Sequence, residues 1–163
     1  MEKIEHPTLE FCVELLQKSI TLPLVPLFFS SLIEEFEKSV SVGYLPFDTH
    51  AKIVNIKILK ADNFSKVEVY FTDVGAFRKI DACTSLPQQY DIFKYAITKP
   101  VELSSNMVAF PTIHNYFAIL RQVGLNSRQK TIINTSLSSV IASSFDLPIS
   151  EVEQLLETAH LTL

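Results

Sequence analysis

Two segments in the middle of the chain alternate apolar and polar residues, and this alternation constrains the fold more than any other feature. In residues 52–59 the apolar positions are Val54, Ile56 and Ile58, and the same period returns in residues 66–71. A period of two is typical of half-buried β-strands. The interval 61–65 between them is polar and favours a turn, so the sequence predicts a β-hairpin. A further turn at 73–75 and a third strand at 77–81 would extend it to a meander.

The flanks of this hairpin predict other elements. Residues 8–15 alternate as a strand does, and residues 95–103 favour one more strand, with Pro100 indicating a sheet edge or a bulge. From Pro26 the apolar spacing becomes helical, which predicts a helix whose opposite face is acidic at residues 34–37. Helix and strand signals are therefore mixed, and the fold class is α+β.

The last third of the chain contains two predicted helices and one ambiguous segment. Pro111 opens a helix that ends near Gly124. Residues 130–143 are rich in β-branched side chains and favour two short strands, with a serine-rich helix as the alternative. Ser150 and Glu153 match a capping box, which predicts a final helix after it.

Composition limits the kind of protein. The chain has 163 residues, of which 47% are hydrophobic, enough for one ordinary domain with a real core. The formal net charge of −4 argues against nucleic-acid binding as the main role. No stretch approaches the roughly 18 apolar residues of a membrane span. Without a secretory signal, Cys12 and Cys83 are expected to be free thiols rather than a disulfide, which favours a cytoplasmic setting.

The segment 67–75, Val-Glu-Val-Tyr-Phe-Thr-Asp-Val-Gly, resembles the V-x-V-x-F-x-D-Y-G signature of Tudor domains. Ile80 and Leu86-Pro87 resemble the pattern that follows it in that family. Residues 9–16 with the next helix resemble the lead-in of extended Tudor domains. The resemblance implies one extended Tudor domain over 1–163. A Tudor β-barrel, at about 41–103, would be inserted into a staphylococcal-nuclease-like, OB-type β-barrel formed by 1–40 and about 104–163, with flanking helices.

The cage that holds methylated arginine in this family is degenerate here. Lys52, Val74 and Ala76 fall at cage positions, and the chain has no tryptophan. A cation is held by aromatic ring faces, which these three side chains do not have, and Lys52 would repel it. The resemblance therefore implies a peptide-binding module with no preference for methylarginine.

The sequence predicts no catalysis, no cofactor and no metal site. The four histidines are scattered without metal-ligand spacing, and no nucleophile or phosphate-loop motif is present. The three arginines do not form the cluster that nuclease chemistry needs. Aromatic and cationic residues on the predicted barrel are instead candidates for peptide binding: Phe47, Tyr70, Phe77 and Arg78.

Known extended Tudor domains are found mainly in scaffold proteins of germline small-RNA pathways. The resemblance therefore implies a tethering role in a piRNA pathway, with a segment of a small-RNA-processing factor as the partner. It also implies a location in the cytoplasm and in perinuclear germ granules. An RNA-binding module of the same fold is the alternative, and a self-assembling structural subunit is a weaker one.

Overall fold

The computed structural model describes residues 25–46, 54–61, 64–71, 77–98, 100–101, 104–108, 110 and 112–163. The helices in these ranges are α1 (Val25–Ser41), α2 (Leu86–Thr98), α3 (Thr112–Gln122), α4 (Ser127–Phe145) and α5 (Ile149–Thr158). The strands are β1 (Tyr44–Leu45), β2 (Val54–Ala61), β3 (Phe64–Phe71), β4 (Arg78–Lys79), β5 (Pro100–Val101) and β6 (Ser104–Val108). The described chain is mostly helical.

The strands do not form a barrel. They pair antiparallel in three separate ladders, β1 with β4, β2 with β3 and β5 with β6. A closed barrel needs every strand paired on both sides, and each strand in the described ranges has one partner. The extended Tudor resemblance is therefore wrong, and so is the fold of one barrel inside another. The extension of one domain over 1–163 stays a prediction.

The central hairpin is confirmed. β2 and β3 pair in register from Val54 opposite Phe71 to Ala61 opposite Phe64, so the strands reach further into the turn than the sequence predicted. The predicted meander is wrong, because β4 pairs with β1 instead of continuing from β3. Alternation specifies that a segment is a strand and which residues share a face, but it does not choose a third partner.

Helix α1 is confirmed and buries one face along its length. Its buried positions recur at helical spacing and include Phe29, Leu32 and Phe36. The chain leaves α1 through Gly43, whose φ is +91° and whose missing Cβ would lie 3.0 Å from the Ile80 carbonyl oxygen. Glycine is required there, because both the backbone conformation and the close approach of β4 exclude a side chain.

Helix α4 replaces the two strands predicted for residues 130–143. It begins with a complete capping box: the Asn126 side chain accepts from the Gln129 N–H at 2.9 Å, and the Gln129 side chain accepts from the Asn126 N–H at 3.0 Å. Burial of apolar side chains every four residues outweighs their β-branched character: Ile133, Leu137, Ile141 and Phe145.

The predicted strand at 95–103 is wrong over its first half, because residues 95–98 complete helix α2. The remainder forms part of the short β5–β6 ladder. The final helix is confirmed as α5, but its capping box is wrong: Pro148 is the N-cap residue and makes no side-chain hydrogen bond. The helix from Pro111 is confirmed as α3, and Gly124 beyond it has a φ of +70°. The predicted strand at 8–15 lies outside the described residues.

An aromatic cluster joins α1, α2 and α4. The Phe93 ring packs edge-on against Phe36, with centroids 5.3 Å apart, and lies 5.4 Å from the Phe145 ring. Phe110 completes the contact with Phe36 at 5.1 Å. Cys83 is buried beside this core as a free thiol, as expected, and Cys12 lies outside the described residues. In the described ranges, no helix combines the length and the apolar character needed to cross a bilayer.

Candidate functional site

The structure separates the residues predicted from the sequence to bind a peptide. Tyr70 lies in β3 opposite Asn55, whereas Arg78 is exposed in β4 opposite Leu45, in a different ladder. Phe77 is half-buried just before β4. The binding role of these residues stays a prediction, but the cleft between two barrels that would have united them does not exist. The other predicted positions lie outside the described residues: Phe47, Lys52, Val74 and Ala76.

A groove with a different composition runs between α2 and α5. Two adjoining cavities of about 690 and 410 Å³ form it, and both are lined by Tyr90, Asp91, Lys94 and Glu151. We call this surface the α2–α5 groove. Thr98 of α2 and Thr158 of α5 line it at one end. The turn before α5 lines it at the other end.

The sequence of α2 places its polar residues in the groove by helical spacing. Pro87, Asp91, Lys94 and Thr98 recur at intervals of three or four and share one side of the helix. Phe93 and its neighbours on the other side are buried in the core. Residues 87–98 span about 16 Å of helix, a length that fits about five extended residues or three helical turns of a ligand.

Tyr90 forms the floor of the groove. Its side chain is buried, and its ring lies 5.5 Å from the Phe145 ring in the core. The Lys94 ammonium lies 5.7 Å from the ring centroid on the groove side. Burial raises the pKa of the Tyr90 phenol, and the Glu151 and Asp91 carboxylates raise it further. The phenol is therefore neutral at physiological pH, and two negative charges act on the middle of the groove.

Apolar side chains mark the α2 side of the groove near both ends. Leu86 is 42% exposed and Tyr95 is 52% exposed. They are nine residues apart on α2, which corresponds to about 14 Å along the helix axis. The carboxylates of Asp91 and Glu151 and the Lys94 ammonium line both cavities between them, and Asp146 adds a carboxylate in the cavity at the Leu86 end. The groove therefore combines two apolar contact points with a net negative centre.

The described lining of the groove offers few reactive groups. A neutral phenol is a weak base and a weak nucleophile, and among the described residues no histidine, cysteine or serine lines the groove beside it. Metal chemistry has no candidate centre in the part of the chain that the structure describes, where no three His, Cys, Asp or Glu side chains converge. The groove has the features of a recognition surface: apolar contacts that provide affinity and charges that orient a ligand.

The sequence held a signal for this groove that the strand interpretation hid. Leu86, Tyr90, Phe93 and Ile97 follow helical spacing along one face, and Tyr95 is a large apolar residue that falls off that face. A large apolar residue on the polar side of an amphipathic helix is a candidate contact point for a ligand.

A second groove of about 430 Å³ lies between α4 and α5, on the other side of α5. Here the Asn134 side chain binds the backbone of Leu163 twice. Its Nδ2 donates to the Leu163 carbonyl oxygen at 3.0 Å, and its Oδ1 accepts from the Leu163 N–H at 2.8 Å. Nearby, the Arg121 guanidinium donates to the His160 carbonyl oxygen at 2.7 Å. These bonds hold residues 160–163 against α3 and α4, so this groove is partly filled by the chain itself.

The family scan and both searches agree in their result: the chain matches no family model, no curated protein and no solved structure.

Proposed function

We propose that this chain is a non-catalytic protein-interaction module whose α2–α5 groove binds a short basic segment of a partner protein. One observation carries the proposal: exposed Leu86 and Tyr95 lie near the two ends of a groove whose lining includes three carboxylates and one ammonium. An apolar face with a polar centre of net negative charge is complementary to an amphipathic segment with apolar residues at its ends and Lys or Arg between them.

The length of the groove matches that of a short peptide segment. About 14 Å between Leu86 and Tyr95 equals about nine residues of a helical ligand or four of an extended one. The affinity is expected to be roughly micromolar, because a short segment loses conformational freedom when it binds.

Lys94 limits how strongly the groove prefers a basic peptide. Its ammonium over the Tyr90 ring occupies the position where a ligand cation would gain most from the Asp91 and Glu151 carboxylates. Replacing it with Gln removes one repulsive charge and is expected to tighten binding of a basic peptide by about 1.5- to 5-fold, the range of an exposed charge pair.

Phosphate-rich ligands fit this groove poorly. Asp91, Asp146 and Glu151 repel a nucleic-acid backbone, and Lys94 is the one cation among the described residues that line the groove. The germline small-RNA setting, with its granules and processing factors, depended on the Tudor resemblance and is not carried forward. RNA binding is kept as an outcome of the test.

The test uses a display library of random dodecapeptides, selected on the intact chain. Selected peptides are synthesised and titrated against wild type and against two charge reversals on one helix. Glu151→Lys changes the groove, whereas Glu153→Lys makes the same change two residues away on the side of the second groove. Both residues are exposed, so neither substitution disturbs the core.

The expected result is enrichment of basic peptides with apolar ends. Their affinity should fall by about 2- to 30-fold with Glu151→Lys, because the reversal removes one exposed charge pair and adds one repulsion of similar size. It should change less than about twofold with Glu153→Lys and should fall with Tyr95→Ala, which removes one contact residue. NMR shifts on peptide addition should map to α2 and α5. Acidic enrichment, equal effects of the two reversals, or tighter binding of single-stranded RNA than of any peptide would each contradict the proposal.

A further inference from the structure

We propose that His114 is a pH-sensitive wedge that holds together the ends of α2 and α5 at one end of the α2–α5 groove. The inference rests on the proposed function of that groove and adds its regulation. On this view the groove has its closed shape at neutral pH and opens at that end as the solution becomes acidic.

The position of His114 supports this role. It is the third residue of α3, and its imidazole is mostly buried. Backbone carbonyls face it from three directions: Ile97 in α2, Phe110 before α3, and Ala159 at the end of α5. Its Nδ1 is buried and makes no hydrogen bond within the geometry that defines one. A buried ring nitrogen without a hydrogen bond lowers the stability of the fold. Its presence where three segments meet therefore points to a role of His114 beyond packing.

The wedge lies directly behind the groove. Ile97 precedes Thr98 and Ala159 follows Thr158, and these two threonines line the groove at this end. A change in the space that the imidazole occupies therefore acts on the backbone beside both walls. No other described residue near the groove combines burial, an unpaired ring nitrogen and contact with both helix ends.

The charges around His114 favour the neutral ring. Burial lowers the pKa of His114 below its ordinary value, and this effect exceeds the opposing effect of the three carbonyls, while the Arg121 guanidinium lowers it further. Arg121 is on α3 itself and is held toward the end of α5 by the His160 carbonyl oxygen. The His160 side chain is exposed. From α2 and from the segment at Phe110, the groups that act on the ring are backbone carbonyls.

Protonation would add a second positive charge near Arg121 to a ring whose Nδ1 is buried. The protonated ring gains most by turning toward solvent, because the buried site does not hydrate a cation. When the ring leaves, the contacts that it makes to the ends of α2 and α5 are lost together, and those ends separate. The groove then widens where Thr98 and Thr158 face each other.

The test measures that separation directly and needs no peptide. Spin labels are attached to Thr98→Cys and Thr158→Cys in the full chain, in a background carrying Cys12→Ser and Cys83→Ala. Pulsed EPR distances are collected from about pH 7.5 to about pH 5, the range in which histidine titrates. His114→Gln is the test variant, and His160→Gln is the matched control, because it removes an exposed histidine. In parallel, NMR follows the titration of the His114 ring in the unlabelled protein.

The expected result is a second, longer distance that grows as the pH falls and reaches half its final amplitude at the titration midpoint of His114. His160→Gln should keep the change and His114→Gln should abolish it. A constant distance, or the same change in both variants, would overturn the proposal. If His114→Gln does not fold, the test compares two pH midpoints measured with His114 present: that of the distance change and that of the His114 ring titration. A clear difference between these midpoints rejects the proposed role of His114. Failure of peptide binding alone would leave this result unaffected.

Discussion

Proline substitution at two serines of α4 tests whether residues 127–145 form one helix. Ser127 is the first residue of α4, and Asn126 before it has φ −78° and ψ 171°, the extended conformation that a residue preceding proline prefers. Ser139 is exposed in the middle of the helix, where its N–H bonds the carbonyl of Thr135. The two sites thus differ in backbone role while the wild-type residue is the same.

The expected magnitudes differ sharply. Ser139→Pro removes one helical hydrogen bond and forces the ring against the Thr135 carbonyl, which costs about 3 kcal/mol or more. Ser127→Pro removes an N–H that has no partner inside the helix, so its effect should stay within about 1 kcal/mol of wild type. Ser139→Ala should stabilise the protein by roughly 0.5 kcal/mol, because alanine has the higher helix propensity.

Equilibrium urea unfolding, followed by far-ultraviolet circular dichroism, gives all three values. With a slope of about 1–3 kcal/mol per molar urea, Ser139→Pro should lower the midpoint by about 1–3 M, and Ser127→Pro should leave it nearly unchanged. In the alternative of two short strands, alanine at 139 would destabilise, because it is depleted in strands. Destabilisation by Ser139→Ala, together with similar midpoints for the two proline variants, would refute the helix.

Further substitutions at three places test the core, the partly buried His114 and a helix end. Phe93→Ala should cost about 3–5 kcal/mol in urea unfolding because it empties the aromatic cluster, whereas Tyr95→Ala, two residues on, should cost under about 0.5 kcal/mol; equal costs would mean that α2 is rotated. The pKa of His114 is lower in the folded chain than the ordinary 6.5, so unfolding binds a proton between those values. The free energy of unfolding should therefore have its full value above pH 6.5 and fall as the pH drops through the folded pKa of His114. A His114→Gln variant whose free energy of unfolding falls equally with pH would contradict this. His160 has a φ of +57°, so His160→Gly should stabilise by about 0.5–1 kcal/mol in thermal unfolding, and an equal gain from His160→Ala would exclude backbone strain as the cause.

Local patterns predicted local structure well. The hairpin followed from two alternating segments around a polar turn, and α1, α3 and α5 followed from helical spacing after or near proline. In each case a feature within a few residues decides the backbone conformation, so distant contacts were not needed.

The architecture depended on interactions that no local pattern contains. The segment 67–71 is a strand as the Tudor motif requires, yet nothing in its side chains specifies that it pairs on one side. Residues 130–143 are β-branched, yet burial of Ile133 and Leu137 against the other helices makes them helical. The Asn126–Gln129 capping box was present in the sequence and would have corrected this, since it marks a helix start four residues earlier.

The candidate site was missed for the same reason. Treating residues 95–103 as a strand split α2 and hid the fact that Leu86 and Tyr95 belong to one helix. Without α2 as a continuous element, the pairing of its polar side with α5 has no basis in the sequence. Of the residues predicted to bind a ligand, Arg78 lies in the two-residue strand β4 and Phe77 just before it, and neither lines the groove.

The double hydrogen bond between Asn134 and Leu163 has a consequence for sequence variation. The amide of Asn134 pairs with the N–H and the carbonyl oxygen of Leu163, which are the backbone groups on the two sides of its Cα, so the contact is indifferent to the side chain attached there. Many residue types at 163 preserve the contact, although a smaller one gives up some packing on the core. Proline alone is excluded by the bond itself, because it has no N–H to donate. At position 134 the tolerance is reversed: aspartate has no amide donor, and a longer glutamine displaces both partners, so asparagine there is constrained while its partner is free to vary.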